Sequence, residues 1–240
     1  MDSESTLIEM LNCRRYTKSL HIPLNFIDIV WSSFDEYLKY LGTFNRKRKK
    51  GVRREVNKNR REGTVVEQLC VCDEHVERLH QLLDMNSYKH NGRRFSFSRS
   101  FFLELQSNLG DNVTFYVSWK AGILTGVSVC LRRNGMIHLP MIGVDHARTG
   151  NDYTYFCLGY YKPMMDAVLN GTTRFYAGRG MYATKARRGF RRANLYIYYR
   201  DSTRTKNMVT KPWLALLSEW NRGKVRRLTG KNRQRKALRL

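Results

Sequence analysis

The chain has 240 residues and 42% hydrophobic content, with 14 Tyr, 11 Phe and 4 Trp, which is enough apolar surface for a packed core and excludes disorder throughout. Its formal net charge is +24, and the excess sits in three blocks: residues 46–61 hold ten Lys/Arg against Glu55, residues 185–200 hold six with no acid, and residues 222–240 hold nine with no acid. The remainder is as neutral as an ordinary globular surface, so the cations mark a footprint for a polyanion, RNA above all.

Five scattered cysteines (Cys13, Cys70, Cys72, Cys130, Cys157) suit free thiols in a reducing cytoplasm. Cys70 and Cys72 with His75 make half a zinc site, but no second pair lies at zinc-finger spacing, so no metal is expected. The N-terminus lacks the basic start and apolar run of a signal peptide, and no stretch approaches the roughly 18 apolar residues of a membrane span. A cytoplasmic protein that neither is exported nor crosses a membrane is expected. The expected organisation is an arm over 1–30, a basic helical segment over 31–62, a compact α/β domain over 63–210, and a C-terminal helix with basic tail over 211–240.

In chain order, residues 1–30 show no clean period beyond a short strand or arm around Phe26 to Val30. Ser33 with Glu36 forms a capping box for a helix whose inner face is Phe34, Tyr37, Leu38 and Leu41. The pattern turns basic near Gly42, where a bend is expected, and resumes to Arg61, with Glu62-Gly63 as the stop. Val65 to Val71 reads as a strand. Asp73 is placed to cap a helix carrying Val76, Leu79, Leu82 and Leu83, followed by a loop from Lys89 to Arg94. Ser98 is placed to cap another helix, with Phe101, Phe102, Leu105 and Leu109 inward.

Val113 to Trp119, Ile123 to Leu131 and Met136 to Ile142 form an antiparallel meander, joined at Lys120-Ala121-Gly122 and at Arg133-Asn134-Gly135, the latter a strong hairpin signal. Asp152 to Asn170 is helical, with Pro163 as its fault, since an interior proline costs about 3 kcal/mol or more. Thr173 to Ala177 is a short strand, Gly178 to Phe190 a loop, and Asn194 to Tyr199 a last strand. Thr210 is placed to cap the C-terminal helix, with Pro212 at its first position.

This order resembles the GNAT acyltransferase fold, an α/β domain with a mixed, largely antiparallel sheet flanked by helices. Two stretches are similar to the Fem-type, peptidyltransferase-like branch. One is Phe34-Asp35-Glu36-Tyr37-Leu38 leading to Arg46-Lys47-Arg48-Lys49-Lys50-Gly51-Val52-Arg53-Arg54-Glu55. The other is Tyr160-Tyr161, then Gly171, Phe175, Gly178, Gly180, Lys185 and Arg188-Gly189-Phe190. Where ordinary GNAT enzymes hold a coenzyme A pyrophosphate on a glycine loop at a helix N-terminus, this chain reads His146-Ala147-Arg148-Thr149-Gly150-Asn151-Asp152. Arg148 and Gly150 fit that pattern, with Gly178 and Gly180 as further donor-loop candidates, whereas Asp152 would repel a pyrophosphate.

The resemblance implies transfer of an aminoacyl group from aminoacyl-tRNA to an amine, with no cofactor beyond that co-substrate, in cell-wall or natural-product amide formation. It implies Lys185 as the cation that neutralises an oxyanion or the terminal phosphate. Tyr182, Tyr160 and Tyr161 are candidates for proton relay or stacking, and Asp145 and His138 for orienting the amine. The expected contacts to the tRNA acceptor arm are Arg46, Lys47, Arg48, Lys49, Lys50, Arg53, Arg54, Arg187, Arg188, Arg191, Arg192, Arg226 and Arg227. An acyl-CoA-dependent N-acyltransferase and a non-catalytic RNA-binding module are the alternatives.

Overall fold

A computed structural model describes residues 3–237, with side chains from 5 to 227. The chain forms two compact units. One comprises the chain up to Asn25, Arg179–Lys185 and the chain from Arg191 onward; the other comprises Phe26–Gly178 and Ala186–Phe190.

The first 30 residues hold more structure than their pattern suggests: helix α1 (Ser3–Cys13) and strand β1 (Thr17–Asp28). Pro23 cannot donate a ladder hydrogen bond and so argues against a long strand. It is tolerated because β1 pairs with strand β6 (Arg174–Tyr176) only at Phe26, Ile27 and Asp28, beyond the proline. Helix α2 (Phe34–Phe44) is capped by Ser33 as expected, and α3 (Arg46–Arg61) follows directly. The break falls at Asn45, not Gly42: Asn45 is extended and its side chain accepts from the Lys47 amide, so one residue ends α2 and caps α3.

Strand β2 (Thr64–Leu69) precedes α4 (Asp73–Asn91), whose N-cap is Cys72 rather than Asp73. α4 runs on through the expected loop at Lys89 and stops at Gly92. Helix α5 (Phe101–Leu109) starts at Ser100, not Ser98, and is followed by a 3-10 turn (Gly110–Asn112). The meander is β3 (Val113–Lys120), β4 (Ile123–Arg133) and β5 (Met136–Val144). Asn134 and Gly135 both have positive φ (50° and 67°), as a two-residue hairpin turn of matching twist requires.

After α6 (His146–Thr149), α7 (Thr154–Phe156), a π-turn (Cys157–Tyr161) and α8 (Lys162–Leu169) run end to end. The π-turn resolves the proline fault. Pro163 follows that widened turn directly, in the first turn of α8, and a π-turn is where a continuous helix can accommodate the missing N–H. The expected loop between Gly178 and Phe190 contains helix α9 (Tyr182–Arg187), and the last strand, β7 (Arg191–Tyr199), starts earlier than expected. Helix α10 (Arg204–Ala237) begins six residues before Thr210 and carries Pro212 inside it. Its start is set by Asp201, whose carboxylate accepts from the Thr203 amide at 3.0 Å; that hydrogen bond, with those from Tyr199 and the Thr203 hydroxyl, lowers the Asp201 pKa to about 2.

The sheet order is β2-β3-β4-β5-β6-β1-β7, and β5–β6 is a parallel pair in an otherwise antiparallel series of described pairings. This is the expected mixed, largely antiparallel α/β architecture. β6 pairs with β5 only at Met136, Ile137 and His138, while β5 continues to Val144. The sheet therefore opens between these strands from Leu139 onward. In the larger unit, one sheet face packs Ile137 and Phe175 against Tyr37, Leu38, Leu41 and Tyr160. A second cluster sets Phe115, Val127 and Val129 with Leu79, Leu82 and Phe102. Among the described residues, no helix is long and apolar enough to cross a membrane, and all five cysteines are free thiols.

Candidate functional site

Helix α3 is amphipathic in an unusual sense: its outer face is charged nearly throughout. Val52 and Asn59 are buried, with Glu55 and Val56 half-buried on the same side at helical spacing. Lys50, Arg53, Arg54, Asn57, Arg60 and Arg61 share the opposite side and line a groove of about 510 Å³. These six residues extend over about 16 Å of helix axis. Among the described residues, Arg53 alone on that face has a carboxylate partner, Asp35 at 3.5 Å, and both side chains are exposed. Such a pair contributes little, so the face presents nearly its full charge. Arg46 and Lys47 are exposed before it, and Arg48 and Lys49 half-buried.

The inner face fixes this display. Asn59 donates to the Thr154 hydroxyl at 3.1 Å. Glu55 accepts from the Arg188 guanidinium at 2.6 Å and from the Tyr161 hydroxyl, and Arg188 Nε donates to that same hydroxyl at 2.7 Å. Arg188 is buried, and its guanidinium stacks 3.5 Å from the Phe156 ring centroid. It is thus a structural cation, committed to Glu55, and is withdrawn from the set of surface phosphate contacts. Tyr37 completes the cluster by donating to the Arg188 carbonyl at 2.9 Å. Burial pushes the Tyr37 and Tyr161 hydroxyls well above their ordinary pKa, against the lowering effect of Arg188, so both remain neutral donors.

The Lys185…Arg188-Gly189-Phe190 segment can be read residue by residue. Phe190 is buried against Tyr160 and Phe175. Gly189 has φ +88°, and a Cβ there would come within 3.1 Å of both Ile27 Cδ1 and Leu41 Cδ2, so the position needs glycine on both counts. Lys185 is 3% exposed, and its ammonium donates to the Arg179 carbonyl at 3.0 Å. Burial lowers its pKa to about 8. In the same unit, Tyr182 donates to the Pro23 carbonyl at 2.8 Å and Asn25 donates to the Gly180 carbonyl at 3.0 Å, which pin the Arg179–Lys185 stretch to β1. Arg187 and Arg191 are exposed, and Arg192 is half-buried.

The remaining candidates are engaged locally. Asp145 caps α6, accepting from the Arg148 amide at 3.3 Å, and pairs with Arg78 at 2.7 Å and with the Arg148 guanidinium at 3.5 Å. Burial raises its pKa, but the Arg78 hydrogen bond, the Arg148 amide and both cations outweigh it and hold the carboxyl below its usual value. Gly150 closes α6. His138 stacks on Tyr176 with centroids 4.6 Å apart, and burial lowers its pKa. Tyr160 is buried in the π-turn, and Gly178 lies 3.7 Å, by its virtual Cβ, from the Leu139 carbonyl at the mouth of the sheet opening. Arg226 and Arg227 are exposed on α10; the basic side chains after Arg227 lie outside the described residues. Cys72, Glu74 and His75 gather their ligand atoms within 4.8 Å of one another at the start of α4, and Cys70 instead accepts from Gln106.

Asp152, the residue that would repel a pyrophosphate, is itself held as a buried anion. The Asp152 carboxylate sits at the N-terminus of α7, accepting from the Thr154 amide and hydroxyl (2.9 and 2.6 Å), the Thr64 hydroxyl (3.0 Å) and Lys120 (3.2 Å). An anion belongs there, and the chain supplies its own. Burial opposes the charge, yet the Thr154, Thr64 and Lys120 contacts together lower its pKa.

A mixed sheet that opens beside its parallel β5–β6 pair is the GNAT-like fold expected from the order of elements. The chain belongs to the FemAB-like family, described as peptidoglycan biosynthesis/recognition, whose model matches residues 4–232. No curated protein matches the sequence. Among solved structures, the C-terminal domain of a putative lysylphosphatidylglycerol synthetase from Agrobacterium fabrum is similar with a TM-score of 0.63 at 14% identity, over 89% of this chain and 68% of that one. L-PGS from Bacillus licheniformis is similar at TM-score 0.59 and 16% identity, over 88% and 69%. FemX is similar at TM-score 0.62 and 10% identity, over 88% and 72%.

Proposed function

We propose that this protein is an aminoacyltransferase that moves an amino acid from aminoacyl-tRNA to an amine acceptor, forming an amide bond. The observation that carries the reading is the outer face of α3, where Lys50, Arg53, Arg54, Arg60 and Arg61 stand nearly uncompensated beside Asn57. Such a face suits a phosphate backbone and gives no advantage toward a neutral donor. Asp152 favours tRNA over coenzyme A as donor, because its buried carboxylate occupies the helix N-terminus that a pyrophosphate would need. Membership of the FemAB-like family supports the same chemistry.

In the reaction, the acceptor amine attacks the ester carbonyl carbon, a C–N bond forms, and the ester C–O bond breaks. The terminal ribose hydroxyl leaves, taking up the proton that the amine gives up. The ester is already activated, so the protein's share is positioning and charge stabilisation. Lys185, with a pKa near 8, is about nine-tenths protonated at pH 7. Its charge in a poorly solvated setting stabilises the developing oxyanion more strongly than a surface lysine could. The test is to incubate the protein with tRNA charged with labelled amino acid, or with labelled acetyl-CoA, across a panel of amines. RNase-sensitive transfer from tRNA supports the reading; transfer only from acetyl-CoA, or tight RNA binding with no transfer, refutes it.

A further inference from the structure

We propose that α10 carries a second interaction surface, an outward stripe that docks on an anionic lipid surface. The inward side of α10 is fixed to β1: the Ser19 hydroxyl donates to the Leu214 carbonyl at 2.9 Å, the Leu20 amide to the Ser218 hydroxyl at 3.2 Å, and Asn221 to the Leu20 carbonyl at 2.8 Å. Leu214 and Asn221 are buried accordingly. On the opposite side Val209, Trp213, Leu216 and Trp220 are 71%, 59%, 70% and 63% exposed. Their spacing of four, three and four residues keeps them within an arc of about 60° along about 16 Å of helix. Two of the four tryptophans of the chain thus stand in solvent on one line, whereas Trp31 is buried and Trp119 half-buried.

Charge decides between possible occupants. Lys206 precedes the stripe, and Lys224 and Arg227 follow it on nearly the same arc, with the Lys224 ammonium 3.5 Å from the Trp220 ring centroid. The arc holds no acid; Glu219 lies about 90° away and is taken up by Arg222. A second copy of this helix would bring like charges together at both ends of the stripe. A nucleic acid would gain from the cations and rings but nothing from Val209 and Leu216. Apolar side chains with tryptophans at one depth and cations at the rim match a headgroup boundary bearing negative charge. The surface rests on α10 alone and is separate from the transfer reaction.

The test uses the full chain, freed of nucleic acid by RNase, with vesicles of phosphatidylglycerol and phosphatidylcholine or of phosphatidylcholine alone. The protein should float with the anionic vesicles and bind them less as salt rises, and its tryptophan emission should shift to the blue and be quenched by lipids brominated in the acyl chain. Trp213→Ser with Trp220→Ser should reduce binding about tenfold or more, while the paired Phe substitutions keep it within about threefold. Leu216→Glu, on the exposed side of the helix, repeats the loss, with circular dichroism to verify the helix. The proposal is overturned if wild-type tryptophan is not quenched by brominated lipid, if the serine pair binds as well as the parent, or if the chain is a dimer that those substitutions split.

Discussion

The outer face of α3 and the Lys185–Phe190 segment are both rich in cations and put them to opposite uses. On α3 the charges stand in solvent with almost no partners, each free to meet a phosphate. In the other segment Lys185 and Arg188 are 3% and 4% exposed, one lowered in pKa and one locked to a carboxylate. A cation's neighbours, not its presence, decide whether it binds, stabilises or acts. Glu55 sits on the inner face of α3 and holds Arg188.

The largest effect should come from cutting that tie. Arg188→Ala leaves Glu55 uncompensated in a largely buried setting and should cost about 3–5 kcal/mol in urea unfolding, while the double change Arg188→Met with Glu55→Gln should recover part of it. An Arg188→Ala cost below about 1 kcal/mol would mean the pair is solvated and the contrast is false.

Next, Lys185→Ala should lower the rate of transfer by about a hundredfold or more with tRNA affinity within about threefold. Equal losses in both would make it one more phosphate contact. The lowered pKa adds a sharper form: activity carried by the ammonium should fall as pH rises through about 8, and Lys185→Arg should move that limb to higher pH. Stability responds in the opposite sense. The lysine loses less by burial when neutral, so its contribution to folding improves as pH rises from about 8 toward the unfolded value near 10.4.

Smaller effects belong to α3. Arg53→Ala or Arg54→Ala should weaken tRNA binding several-fold and reduce the salt slope by about 0.9 for each duplex phosphate no longer neutralised, with unfolding unchanged. A drop in stability instead would place these arginines in packing.

The central meander and the capped start of α2 were legible because the signals are local: Asn134-Gly135 twists the hairpin, and Ser33 with Glu36 closes a helix end. The charge blocks marked α3 in the same way. What stayed hidden depends on contacts distant in sequence. β1 is obscured by Pro23, and its pairing with β6 falls past that residue. α9 is six residues long between glycines, too short for periodicity to reveal. The start of α10 is masked because Pro212 and Thr210 look like a helix start, while the Asp201 turn precedes the real one. At the candidate site, Lys185 and the arginine that follows it were visible as a motif, but their different roles were not. Glu55 offered the one signal that could have separated them, an acid on the apolar side of a helix otherwise filled with Lys and Arg.

The most direct test of that separation is a single-turnover transfer assay with charged tRNA titrated from below to far above its Kd. For a protein altered on the outer face of α3, with Arg53, Arg54, Arg60 and Arg61 changed to Ala, the rate should return to the parent value at saturating tRNA. For Lys185→Ala it should stay low at every concentration. If both variants recover together, or neither does, the division between a binding face and an acting segment is wrong.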